Sequence, residues 1–90
     1  MTREELERTS WAKRFKRVCP ASYDEAIYLA LLPNFSVSII HTNERDIGSF
    51  EYAIEALDEN KEETDFWMET YKRKDHAIAL CQKMGWRIVE

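Results

Sequence analysis

The chain reads as a small α+β domain. It has one N-terminal helix or two, a three- to four-stranded, mainly antiparallel sheet, and one C-terminal helix before the last strand. Three observations predict this. Apolar residues recur at helical spacing at both ends of the chain, and they alternate with polar ones at period two between Phe35 and Tyr71. The strand-like runs also follow one another with no helical pattern between them, the mark of an antiparallel sheet beside segregated helices. Ninety residues make one domain, 1–90, with a thin core, because a chain this short buries little more than about 60% of its unfolded surface.

At the N-terminus, Thr2-Arg3-Glu4-Glu5 fits a capping box. Leu6, Trp11, Phe15 and Val18 then follow near helical spacing until Pro20, so a helix is expected over about 3–18. Ser22-Tyr23-Asp24-Glu25 repeats the capping pattern before the apolar run Ala26–Leu32 and the stop Pro33-Asn34. A short buried helix fits that run, although seven apolar residues in a row also fit a strand entering a turn. Phe35, Val37 and Ile39 alternate with Ser36 and Ser38 as a half-buried strand, and residues 42–48 form a polar loop. Phe50, Tyr52, Ile54 and Ala56 alternate with Glu51 and Glu55 as a second strand. The polar connection 58–64 is too short for a parallel crossover, so the third strand, Phe66–Tyr71, pairs antiparallel with the second. Asp75 is the expected N-cap of a helix whose apolar face holds Ala77, Ile78, Cys81 and Met84. Gly85 supplies its left-handed stop, and Trp86–Val89 is a closing strand.

The composition, 44% hydrophobic and 12% aromatic, excludes wholesale disorder. The charged start Met1–Glu7 differs from a signal peptide, and the longest apolar run falls far short of the roughly 20 residues that span a bilayer. The chain therefore reads as cytoplasmic, with no membrane partner. Its two cysteines, Cys19 and Cys81, suit free thiols in a reducing compartment better than a disulfide framework.

The net charge of −4 hides a strong asymmetry. Residues 1–19 carry six Lys/Arg against three Asp/Glu (+3), residues 20–70 two against twelve (−10), and residues 71–90 five against two (+3). An acidic centre repels phosphate backbones and favours basic partners.

No catalytic, metal or cofactor signature stands out. Cys19, His41, His76 and Cys81 lack the paired two-to-four spacing of zinc ligands. Cys81 falls on an apolar helix face, where a thiol behaves as a small hydrophobe. Glu51, Glu55 and Glu69 form a carboxylate-rich sheet surface, but two isolated glycines and short loops leave little material for a hydrolytic cleft. The chain is therefore not expected to be an enzyme.

Two features point to binding instead. If Phe66, Met68 and Thr70 face the core, then Trp67, Glu69 and Tyr71 share the open face with Glu51 and Glu55. Aromatics ringed by charge resemble a protein-binding patch. The alternative is that the first helix covers this face and buries Trp67 against Trp11 and Phe15. The second feature is basic: Lys13, Arg14, Lys16 and Arg17 on the first helix, which also suit its negative end, and Lys72-Arg73-Lys74. These would serve a nucleic-acid-binding domain, a reading disfavoured by the acidic residues among the aromatics. The expected function is thus an acidic protein-binding module: an inhibitor, adaptor or accessory subunit. Its partner would have a basic surface, as in the inhibitors that phages deploy against nucleic-acid-handling or defence enzymes. A thin core with an open sheet face or edge also invites a homodimer.

Overall fold

The computed structural model describes residues 1–42 and 51–89. The fold is α+β, with helices preceding a mostly antiparallel four-stranded sheet and a helix before its last strand. The chain forms two compact units, Met1–Pro33 and Asn34–Glu90. No helix among the described residues is long and apolar enough to cross a membrane.

The first unit is helical. The expected capping box forms: the Thr2 hydroxyl accepts from the Glu5 amide, and the Glu5 carboxylate accepts from the Thr2 amide. The helix it starts, α1 (Arg3–Glu7), is short, and the single helix expected over 3–18 is broken. Thr9 is the cause. Its hydroxyl donates to the Leu6 carbonyl at 2.7 Å and accepts from the Ala12 amide at 3.2 Å, so it ends one helix and caps the next, α2 (Ser10–Val18). Short hydroxyl side chains compete for local backbone groups in this way. The inner side of α2 carries Trp11, Ala12 and Phe15, with the two rings 5.6 Å apart.

Pro20–Ser22 forms a 3-10 turn, which denies Ser22 the extended geometry of an N-cap. The second capping box is therefore not made, yet α3 (Tyr23–Ala30) still forms and settles the apolar run as helix rather than strand. Arg3 reaches Asp24 at 3.0 Å, and the Tyr23 hydroxyl donates to Glu7 at 3.3 Å, tying α1 to α3.

The second unit is a sheet with one helix. Its strands β1 (Ser36–His41), β2 (Tyr52–Leu57), β3 (Glu63–Tyr71) and β4 (Arg87–Ile88) lie in the order β3-β2-β1-β4. The two hairpin-like pairs are antiparallel, and β4 runs parallel to β1. Phe50 and most of the expected 42–48 loop lie outside the described residues. Register places Val37, Ile39, Tyr52, Ile54 and Ala56 on one face. The helix α4 (Lys74–Met84) lies over it, burying Ala77 and Cys81 and bringing His76 to the Tyr71 ring. Asp75 is not its N-cap as expected. Arg73 occupies that position, and Asp75 sits inside the first turn, held by the Arg73 guanidinium through two contacts of 3.0 Å. The expected stop at Gly85 is present. Its φ of +74° lets the Trp86 amide reach the Cys81 carbonyl and the Gly85 amide reach that of Gln82.

Candidate functional site

β2 departs from the expected half-buried pattern. Ala53, Ile54, Glu55, Ala56 and Leu57 are all buried, so both faces of this central strand are enclosed. Glu55 is therefore not part of a solvated carboxylate surface: only 3% of it is exposed. One of its carboxylate oxygens, Oε2, has no hydrogen-bond partner. Burial pushes the Glu55 carboxyl up, the Asp65 amide that donates to it pulls down, and the nearby charges of Glu63 and Asp65 push up again; the net direction is upward.

The amide reaches Glu55 because β3 is irregular. Ile54 pairs with Glu69, but Glu55 pairs with Trp67, leaving Met68 as an extra residue; Leu57 then pairs with Glu63. Asp65 sits at φ +60°, and the Thr64 hydroxyl bonds the Ala56 carbonyl at 2.7 Å where the ladder is disrupted. Such bulges re-aim side chains.

The bulge also divides the expected binding patch. Tyr71 pairs with Tyr52, and Glu69 with Ile54, on the α4 face; Trp67 pairs with Glu55 on the other face, where alternation also puts Glu51. Trp67, Glu69 and Tyr71 are each half-buried, so they do not form one open aromatic surface. The Tyr71 ring meets His76 at 6.2 Å, and Glu69 accepts from the Thr70 amide at 3.1 Å. Glu51 is exposed, and its backbone bonds Thr42 and Tyr71.

Alternation identified the strands but not where exposed negative charge gathers, which is the β2–β3 connection and the first residues of β3. Glu59, Glu62, Glu63 and Asp65 are exposed and make no ion pair among the described residues. Asp58 is structural: its carboxylate accepts from the Asn60 amide at 2.8 Å and the Glu62 amide at 3.0 Å, closing the turn. The lone cation of the turn, Lys61, does not neutralise its neighbours, because its ammonium donates to the Asn34 carbonyl and the Ser36 hydroxyl, each at 2.8 Å. The polar run 58–65, five acids to one base, was the signal for this patch in the sequence.

The basic residues fall in both units. Lys13, Arg14, Lys16 and Arg17 are exposed on α2, with the Lys16 ammonium 5.4 Å from the Tyr23 ring. Lys72, Arg73 and Lys74 are exposed where β3 leads into α4, and Arg73 is engaged by Asp75. Both cysteines are free; Cys19 is exposed, and burial pushes the Cys81 thiol up to about 11. Among the described residues no three His, Cys, Asp or Glu side chains are arranged to hold a metal ion. Fold and site together describe a small α+β protein with an unneutralised acidic hairpin. Compared with known protein families, curated proteins and solved structures, the chain matches none.

Proposed function

We propose that this protein is a non-catalytic acidic protein-binding module, an inhibitor, adaptor or accessory subunit, whose β2–β3 hairpin meets a basic surface on its partner. One observation carries the reading. Four exposed carboxylates crowd the β2–β3 connection and the first residues of β3, while the one cation of that stretch, Lys61, is turned onto Asn34 and Ser36. A hairpin of this charge steers a positively charged partner and loses that pull as salt rises. The groove of a nucleic-acid-handling or defence enzyme has the required charge, and a phage-encoded inhibitor is the biological setting that suits it. Free thiols, one of them exposed, fit action in the cytoplasm.

Charge reversal tests the reading. A chain carrying Glu59→Lys, Glu62→Lys, Glu63→Lys and Asp65→Lys should keep its fold and lose the partner that the native chain retains. Equal retention by both would refute a role for the hairpin. The exposed basic side of α2 favours a second reading, a nucleic-acid-binding domain using Lys13, Arg14, Lys16 and Arg17 with Lys72–Lys74. Binding to a DNA or RNA probe that disappears on reversing those charges would move the assignment there.

A further inference from the structure

We propose that the sheet edge formed by β1 beyond β4 receives an extended segment of another protein, one that carries a branched aliphatic side chain close to a carboxylate.

The backbone defines a lane for such a segment. The Thr42 amide donates to the Glu51 carbonyl, so Thr42 faces β2. Strand alternation then turns the backbone groups of Ile40 and Ser38 toward β2, and those of His41, Ile39 and Val37 away from it. The Val89 amide, which donates to the Val37 carbonyl at 2.8 Å, marks the outward side. Among the described residues, β4 pairs with Ser36 and Val37 alone. Among the described residues, no strand follows it along Ile39 and His41, a stretch of about 13 Å from Val37 to His41. Segments that add to a sheet edge use such outward amides and carbonyls for affinity, and pockets beside the lane for specificity.

A pocket lies beside this lane. A cavity of about 550 Å3 opens among Ser38, Ile39, Lys74, Ile78, Ile88 and Val89. Beside the polar Ser38 and Lys74, its walls are the aliphatic Ile39, Ile78, Ile88 and Val89, which suit a branched aliphatic side chain. Among the described residues that line it the one charge is the Lys74 ammonium, which is exposed and makes no ion pair with them. Lys74 is also the first residue of α4, where the helix backbone is itself positive, so the cation is electrostatically out of place until an anion joins it. A carboxylate on the incoming segment answers both. This surface involves neither β3 nor the acidic hairpin, so it stands or falls independently of the proposed function.

The test is a phage-displayed library of short randomised peptides selected against the whole chain, with Ile78→Trp to fill the cavity and Lys74→Glu to invert its charge. Enriched peptides should pair an aliphatic residue with Asp or Glu, and should bind Ile78→Trp about tenfold more weakly. On Lys74→Glu, an exposed change that leaves the core alone, selection should turn to peptides with Lys or Arg. A synthesised winner should shift the backbone amide resonances of Ile39 and His41. No enrichment, the same peptides on Lys74→Glu as on the native chain, or shifts confined to β3 would each overturn the proposal.

Discussion

Glu55 stands opposite Trp67 across the β2–β3 ladder, whereas Ile54, one residue earlier, stands opposite Glu69. Met68 is the residue left over, fully buried. That step places Trp67 beside a buried carboxylate and Tyr71 beside Tyr52 on the opposite face. The exposed carboxylates Glu59, Glu62, Glu63 and Asp65 lie in the connection and the first residues of β3, before the step.

Glu55 should make stability depend on pH in an unusual direction for an acid. Its folded-state carboxyl lies above the ordinary 4.5, so the folded chain holds the proton more tightly than the unfolded chain. This residue therefore disfavours folding above its folded-state pKa. The penalty shrinks as pH falls through that pKa and is gone below the ordinary value. Glu55→Gln removes the charge and keeps an oxygen for the Asp65 amide. It should be more stable than the native chain at neutral pH by about 1 kcal/mol. The gain should vanish near pH 4, where the unfolded carboxyl also protonates. Urea melts of the two proteins at both pH values read the difference directly, and a gain that persists in acid would contradict this account of Glu55.

The thiols should separate by reactivity. Cys19 is exposed, while Cys81 is buried with its thiol pushed up to about 11, so little thiolate exists there at neutral pH. A thiol reagent should modify Cys19 rapidly in the folded protein and Cys81 only on unfolding. Mass spectrometry of the labelled peptides checks this, and rapid labelling at Cys81 would show that its helix face opens.

Two backbone positions carry local predictions. Gly85 has φ +74°, and a Cβ there would meet nothing within 4 Å, so Gly85→Ala should cost about 1 kcal/mol through backbone conformation alone. Thr9→Ala removes the hydroxyl that caps α2 and bonds the Leu6 carbonyl, and should also cost about 1 kcal/mol. Thermal unfolding of each variant measures both. A gain in helicity in Thr9→Ala would mean that α1 and α2 had fused into the single helix that the apolar spacing suggests.

The elements legible in the sequence were those with local causes. The Thr2–Glu5 box, the period-two run from Phe35 and the Gly85 stop each depend on neighbours in the chain, and each appears in the structure. Much of what escaped in the sheet depends on partners distant in sequence. Nothing near Asp65 announces that it takes φ +60°, and only pairing with β2 reveals Met68 as an extra residue. Without that step, strict alternation puts Trp67 and Tyr71 on one face. The burial of Glu55 did leave a trace: Ala53, Ala56 and Leu57 around it are apolar at both parities, the pattern of a strand enclosed on two sides. Thr9 is legible only in hindsight, because a hydroxyl that breaks a helix and one that faces solvent look alike in sequence.

The most direct test of the central claim is capture from nuclease-treated host-cell lysate, run side by side with the native chain and with the chain reversed at Glu59, Glu62, Glu63 and Asp65. The account predicts one discrete protein with a basic surface, retained by the native chain at low salt, weakened as salt rises, and lost on the reversed chain. A partner held equally by both chains, or retention that vanishes with nuclease treatment, would contradict it.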